Sequence, residues 1–230
     1  LLEHAARIGE LAAALSVPAE TLASRVSQRA DKEFMYLRRR ISPAAAEEVL
    51  DLGIPGVYSQ REYRRFYPQG EALAHVLGFT NIDDRGQEGL ELAFDEWLSG
   101  TPGAKRVIRD GQGRIIANVD LLRAPEPGKD LVLSIDRRIQ YLAFRELRRA
   151  IPEAKAAAGS VVILDVHSGE VLAMANLPSY NPNQLDGQAG DARRNRAVTD
   201  VVEPGSTMKP ITVAAALEQR LVTPDTIVDT

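Results

Sequence analysis

The sequence predicts an α+β fold in two domains, and three observations support this prediction. Helix-like and strand-like patterns alternate along the 230 residues. Turn residues join neighbouring strand-like runs into antiparallel hairpins within residues 105–119 and 160–175. The sequence Pro125-Glu126-Pro127-Gly128 is typical of a linker. We therefore predict one domain over residues 1–125 and a second over residues 126–230.

Helices are predicted to begin the first domain. Apolar residues fall on one face of a helix that ends at Ser16-Val17-Pro18, and a second helix follows over residues 19–30. Because Ser42 precedes Pro43, we expect a third helix, capped by that serine, that ends near Gly53. The inward residues of the first two helices would be Leu2, Ile8, Leu11, Leu15, Leu22 and Val26.

The rest of this domain is predicted from β-prone side chains and helical periodicity. Residues 34–37 are predicted to form a strand and residues 56–67 to be extended. Residues 90–98 have the pattern of an amphipathic helix. Residues 105–109 and 114–119 flank a glycine-rich turn, which predicts a hairpin.

Similar signals predict the second domain. After a short strand come a long helix with Asp136 as its N-cap, a hairpin, a polar loop and an apolar helix. We expect that later strands of the sheet are missing. The predicted elements occupy residues 131–135, 136–151, 160–175, 178–195 and 206–220.

Composition excludes several classes of protein. Apolar residues make up 44% of the chain, enough for a core, and the formal net charge is −4. Acidic residues lie among the arginine clusters, which argues against a nucleic-acid-binding protein. Without cysteine there is no disulfide and no cysteine-ligated metal. No apolar run reaches the ~20 residues of a membrane span, and the chain begins without methionine, so we expect a fragment that lacks an anchor.

Ser206 and Lys209 are the strongest candidates for chemistry. A serine at a helix start has a backbone N–H without an intrahelical partner, and the helix dipole favours an oxyanion there. Lys209 follows on the same face. We expect Ser206 to be the nucleophile and a backbone oxyanion donor, and Lys209 to be the general base. The apolar neighbours that would favour a neutral amine are Val213, Ala214 and Leu217.

The Ser-x-x-Lys spacing alone has a second explanation. An N-cap serine followed by a solvent-facing lysine is a common helix start. At average composition, about one such spacing is expected by chance in a chain of this length. The neighbouring sequence must therefore separate the two alternatives.

Longer motifs, in the same order along the chain, resemble the class B penicillin-binding proteins. In the second domain these are the hairpin, the Pro-Asn loop after it and the stretch RNRAVTDVVEPGSTMKP, and in the first they include AHVLGFTN. The matching segments are residues 67–70, 74–81, 86–91, 98–103, 159–165, 168–175, 178–183 and 194–210.

This resemblance implies a fold and an activity. The fold would be an elongated, non-catalytic α+β pedestal followed by the first part of a transpeptidase domain of the penicillin-binding and serine β-lactamase type. Ser206 would attack the D-Ala–D-Ala bond of peptidoglycan stem peptides and form an acyl-enzyme, which an amine of a neighbouring stem peptide resolves into a crosslink. β-Lactams would trap the acyl state. No cofactor is implied.

The resemblance also implies a place in the cell. Within the family, the motifs are most similar to members that act in division of Gram-negative bacteria. We therefore expect the periplasmic face of the inner membrane, an N-terminal anchor absent from this chain, and partners among the cell-division membrane proteins, including a glycosyltransferase.

One departure from the family bears on activity. The family's Ser-x-Asn and Lys-Thr-Gly motifs should follow the nucleophile helix, yet neither does, and Lys209 is the last lysine. We therefore expect an incomplete active site in these residues. The alternative function is a non-catalytic scaffold that binds division partners. A serine β-lactamase or β-lactam sensor is disfavoured, because those proteins resemble the catalytic domain only.

The histidines are weaker candidates. His75 lies in an apolar stretch and is predicted to pack in the core, whereas His167 at a hairpin tip should be solvated and His4 lies near a terminus. Three scattered histidines predict no metal site. The sequence also allows a Ser-His-Asp triad, whose members need not be close in the chain, although no Gly-x-Ser-x-Gly elbow supports one.

Overall fold

The chain forms two compact units. The computed structural model describes residues 7–32, 34–109, 115–185, 187 and 190–227. One unit comprises Leu1–Pro68 and Leu77–Val132, and the other comprises Gln69–Val76 and Leu133–Thr230. The chain therefore contributes a short segment to the second unit long before the main part of that unit begins.

Helices build the first hydrophobic core, as predicted. Ser42 caps the third helix, because its side chain accepts a hydrogen bond from the backbone N–H of Ala45. The inward residues predicted from the first two helices are buried, apart from Leu2, which lies outside the described residues. The helices are α1 (Ile8–Ala14), α2 (Ala19–Ser27) and α3 (Pro43–Asp51). The buried cluster comprises Ile8, Leu11, Ala12, Leu15, Leu22, Val26, Val49 and Ile54.

The strand predicted at residues 34–37 was wrong. Met35 and Leu37 do pack against the helical core. Phe34 and Tyr36 point away from it, and their rings meet edge to face with centroids 4.8 Å apart. The side chains thus alternate as in a strand, but in the described part of the chain no backbone pairs with them, and a strand requires such a ladder.

The second half of this unit contains two short helices and a hairpin. The helix predicted over residues 90–98 is divided in two, because Phe94 has the non-helical angles φ −118° and ψ 25°. The predicted hairpin is confirmed as an antiparallel pair, and its turn lies outside the described residues. These elements are α5 (Gly89–Ala93), α6 (Asp95–Ser99), β1 (Ala104–Arg109) and β2 (Ile115–Arg123).

A long helix covers a hairpin in the second unit. Asp136 caps the helix as predicted, since its carboxylate accepts from the backbone N–H groups of Arg138 and Ile139. The predicted second hairpin is also confirmed. The elements are α7 (Arg137–Glu153), β3 (Gly159–Leu164) and β4 (Val171–Leu177). Their buried core comprises Ala143, Phe144, Leu147, Ala173 and Ala175.

The strand predicted at residues 131–135 was wrong as well. Only isolated hydrogen bonds join this region to the start of β4: the Ser134 hydroxyl donates to Val171 O and the Asp136 N–H to Leu172 O. Elsewhere the mixture of helices and hairpins confirms the α+β prediction. The remaining α-helices of the described residues are α4 (Ala74–Leu77), α8 (Arg196–Thr199) and α9 (Lys209–Glu218).

Candidate active site

Ser206 lies in a tight turn at the entrance to α9. The turn is a 3₁₀ helix, Gly205–Met208, whereas a continuous helix from residue 206 was predicted. Gly205 has φ +53°, and the space beside its Cα is open, so backbone conformation rather than crowding favours glycine here. Thr207 fastens the turn, because its N–H and its hydroxyl donate to Pro204 O at 3.2 and 2.7 Å.

The Ser206 hydroxyl does not cap a helix. The N-cap positions of the 3₁₀ turn and of α9 are Pro204 and Met208, and neither makes a side-chain cap bond. Ser206 is exposed, and among the described residues its hydroxyl has no hydrogen-bond partner. The second explanation of the Ser-x-x-Lys spacing, in which Ser206 is an N-cap, is therefore excluded for this turn.

Lys209 is the first residue of α9 and is exposed. In a 3₁₀ turn, residues three apart lie above one another, so Lys209 and Ser206 share a face. The apolar surroundings expected for the amine are absent: Val213 and Leu217 are 53% and 39% exposed, and no residue of α9 is buried. The expectation that these neighbours desolvate Lys209 is therefore wrong for the described residues.

Ion pairs fix the stretch that precedes the turn. Arg196 has a side chain only 10% exposed, and its guanidinium donates to Asp200 at 3.1 Å and also to Asp191. Arg194 Nε lies 2.9 Å from the second oxygen of Asp200. By contrast, residues 201–215 are all exposed.

Asn176, at the end of β4, connects this stretch to the hairpin. Its residue is 1% exposed. Its Oδ1 accepts from the Ser160 hydroxyl at 2.7 Å and from the Ala197 N–H at 2.8 Å. Its Nδ2 donates to Asn195 Oδ1 at 2.9 Å. Every polar atom of this buried amide is therefore paired, as buried polar groups require.

The segment Gln69–Val76 supplies backbone acceptors to the same unit. Ala72 O accepts from Gln140 Nε2 and Ala74 O from the Tyr180 hydroxyl, at 2.5 and 3.0 Å. The donors Gln140 and Tyr180 are 2% and 1% exposed. Two further acceptors are Glu71 O, bonded by Ser179 Oγ at 2.8 Å, and His75 O, bonded by Asn195 Nδ2 at 3.4 Å.

His75 packs in the core, as predicted, with 7% of its surface exposed. Its Nε2 lies 2.9 Å from Ala192 O, and because a carbonyl only accepts, Nε2 holds the proton of the neutral ring. Tyr180 meets the imidazole edge to face. Burial lowers the pKa of His75, and the charge of Arg196 adds to that effect, against the opposing bond to Ala192.

The remaining histidines and the acidic side chains form no second site in the described residues. His167 is exposed as predicted, and His4 lies outside the described residues. In the described ranges, no group of three or more histidine, aspartate or glutamate side chains is arranged to hold a metal ion. Nor does any helix of those ranges have the length and apolar character needed to span a bilayer.

Two family models match the chain. The penicillin-binding protein dimerisation domain matches residues 3–133, and the penicillin-binding protein transpeptidase domain matches residues 159–230. The chain belongs to the class B penicillin-binding proteins. Both the turn at Ser206 and the Asn176 contacts lie in the part that matches the transpeptidase domain.

Curated relatives agree with this assignment. Peptidoglycan D,D-transpeptidase FtsI of Escherichia coli K12 is 46% identical over 220 residues, which are 96% of this chain and 37% of that protein. The probable peptidoglycan D,D-transpeptidase PenA of Neisseria gonorrhoeae is 46% identical over 219 residues, 94% of this chain and 38% of that protein. The chain thus spans less than two fifths of these relatives.

Solved structures of the family share the fold. Penicillin-binding protein 3 of Mycobacterium tuberculosis without ligand has a TM-score of 0.59 and 32% identity, covering 71% of this chain and 33% of that one. The same protein in complex with aztreonam has a TM-score of 0.60 and 33% identity, with the same coverage.

Sequence reasoning missed the hydrogen-bonded contacts around Asn176. Neither Asn176 nor Asn195 was singled out, although Asn195 lies inside the stretch that resembles the family. The available signal was an asparagine directly after the apolar run that ends at Ala175, since a polar side chain near the end of such a strand needs partners. Its partners, at positions 160, 195 and 197, could not be identified from spacing.

Proposed function

We propose that this protein is a serine peptidoglycan D,D-transpeptidase that crosslinks stem peptides during cell division. Ser206 is its nucleophile and backbone oxyanion donor, and Lys209 is its general base. One observation carries the proposal: in a chain of this family, an exposed serine hydroxyl without a partner among the described residues stands one turn before a lysine on the same face.

The reaction follows from these two groups. Lys209, when neutral, takes the hydroxyl proton as Ser206 Oγ attacks the carbonyl carbon between the two D-alanines. The negative charge that develops on the carbonyl oxygen is stabilised by N–H groups at the start of the helix. The C–N bond breaks, the proton passes to the leaving D-alanine, and an ester remains on Ser206. An amine of a second stem peptide then attacks that ester, forms the crosslink and frees the hydroxyl.

β-Lactams are proposed to react at the same serine. Their strained amide presents a carbonyl to Ser206, and opening the ring gives a stable acyl-enzyme. This step uses the same nucleophile, base and oxyanion donors, so it tests Ser206 without a peptidoglycan substrate.

The proposal also assigns different roles to the two parts of the chain. Residues 1–125 act as a non-catalytic pedestal, and residues 126–230 contribute the first part of the transpeptidase domain. The periplasmic face of the inner membrane is the proposed location, and division membrane proteins, including a glycosyltransferase, are the proposed partners. The match of residues 3–133 to the dimerisation domain supports the non-catalytic role of the first part.

The test is the intact mass of the full-length protein with and without a β-lactam. We expect the mass to increase by one antibiotic molecule, with the adduct on the peptide that contains Ser206. Ser206→Ala should abolish the adduct, because alanine has no nucleophile. Ser168→Ala, which removes an exposed hydroxyl at the hairpin tip, should leave it unchanged. An adduct that persists in Ser206→Ala would exclude Ser206 as the nucleophile.

A further inference from the structure

The hydrogen bonds around Asn176 have one consistent orientation. At one end, the Ala197 N–H can only donate, so the atom of Asn176 that faces it must be oxygen. The amide nitrogen of Asn176 must then face Asn195 and donate to its oxygen. That leaves the nitrogen of Asn195 for His75 O, which can only accept. Donor and acceptor therefore match at each step from α8 to the segment Gln69–Val76.

This chain of bonds begins at α8, where the described residues that precede Ser206 are anchored to the rest of the second unit. Asn195 and Ala197 lie at the start of α8, and the ion pairs of Asp200 lie at its end. From there to Ser206, the described backbone is exposed and makes only local bonds. The direction in which the chain leaves α8 thus depends on how α8 is held against the hairpin.

We propose that Asn176 is a positioning residue for the acylation of Ser206, acting through its paired contacts with Asn195 and Ala197 at the start of α8. It does not touch the reacting atoms. Its amide joins the hairpin to the segment that leads into the nucleophile turn, and so fixes where that segment starts. This inference rests on the proposed function, because acylation is the step it concerns.

Asn176→Asp tests the proposal with the smallest chemical change. Aspartate keeps acceptors for the Ser160 hydroxyl and the Ala197 N–H, but presents oxygen to Asn195 Oδ1, where the wild type has a donor. If Asn195 rotates to compensate, its oxygen then faces His75 O. One link is lost in either arrangement.

The measurement is the time course of acylation of the full-length protein by a fluorescent penicillin over a range of concentrations. This separates the acylation rate constant from the dissociation constant of the initial complex. We expect Asn176→Asp to lower the rate constant about three- to tenfold, the value of one hydrogen bond, and to change the dissociation constant less than about twofold.

Gln140→Glu is the matched control. Gln140 is as buried as Asn176 and loses the same donor in the same amide-to-carboxylate change, but its bonds go to Ala72 and Met174 rather than to residues 195–200. After correction for the folded fraction, its acylation rate constant should stay within about twofold of the wild type. An equal fall in this control would make the effect of Asn176 one of general stability and overturn the proposal.

Asn195→Ala breaks the same bond at Asn195, the less buried of the two partners. This variant replaces Asn176→Asp as the test if Asn176→Asp does not fold. We expect a similar fall in the rate constant, and no further fall in the double variant, because both changes break the bond between Asn176 and Asn195. A wild-type rate constant in either single variant, or fully additive effects, would overturn the inference. A wild-type protein that is not acylated at Ser206 would instead overturn the proposed function, and this inference with it.

Discussion

Residues 190–200 and residues 201–215 are neighbours in the chain but are held in different ways. The first stretch is bonded to distant parts of the second unit through Asn176 and His75, and the ion pairs of Arg196 with Asp191 and Asp200 brace it internally. The second stretch is exposed throughout, and its hydrogen bonds among the described residues are local ones of the turn and of α9. The comparison shows that local sequence shapes the turn around Ser206, whereas tertiary contacts earlier in the chain decide where that turn begins.

The largest effect should come from a buried glutamine of α7, which lies outside both stretches but, like residues 190–200, is bonded to distant parts of the second unit. Gln140 bonds Ala72 O, Met174 O and the Met174 N–H from a buried position, so Gln140→Leu leaves three partly buried backbone groups without this partner. We expect the free energy of unfolding of the 230-residue chain to fall by about 3 kcal/mol in urea titrations.

Gln219→Leu gives the matching change at the exposed C-cap of α9. It should alter the free energy of unfolding by less than about 0.5 kcal/mol. Equal effects of the two leucine variants would contradict the distinction between side chains bonded to distant backbone and exposed side chains.

An intermediate effect should follow from His75. Burial lowers its pKa below the ordinary value of 6.5, so below pH 6.5 the unfolded chain takes up a proton that the folded chain resists. Its contribution to stability is therefore complete above pH 6.5 and is lost as the pH falls. We expect the free energy of unfolding to fall by about 1 kcal/mol between pH 7 and 5.5, measured by urea titration at each pH.

His75→Gln keeps an N–H donor but does not titrate, so the loss in this pH window should disappear. The lowered pKa of Asp165, caused by backbone N–H bonds from Ser168 and His167, acts only near and below its ordinary value of 3.8. A pH dependence between 7 and 5.5 that survives in His75→Gln would show that another group is responsible.

An effect similar in size to that of His75 is expected in the nucleophile turn itself. Gly205→Ala places a side chain at φ +53°, which costs roughly 1 kcal/mol although no atom lies in the way. Gly9→Ala makes the same change inside α1, where the added Cβ also meets nothing and the helix favours alanine, so stability should rise. Urea titration of both variants should give opposite signs. The same sign in both would mean that backbone conformation does not govern Gly205.

The sequence alone predicted the helices and hairpins well, because periodicity and capping are local. Ser42 and Asp136 were identified as N-caps from their own neighbours, and both cap helices. The strands at residues 34–37 and 131–135 failed for the opposite reason: a strand depends on a partner that the segment itself does not encode. Alternating side chains gave the right faces without the ladder.

The same distinction applies to the candidate site. Ser206 and Lys209 were found because their spacing and neighbouring motifs are contiguous. Asn176 was not, because its bonds reach Ser160, Asn195 and Ala197, and only the folded chain brings those residues together. A buried asparagine after a strand predicts that partners exist, but not which ones.

The early segment Gln69–Val76 makes residues 77–132 an insertion in the topology of the second unit. When the second unit forms, residues 69–76 must meet the chain after residue 132, which closes a long loop. Residues from 133 onward do not make up the whole unit by themselves. During synthesis this segment is made first, and its backbone carbonyls receive their hydrogen bonds only after the donors Gln140, Ser179, Tyr180 and Asn195 have been made. A fusion protein that carries the second unit would have to include those eight residues, because without them these four side chains each lose one backbone acceptor.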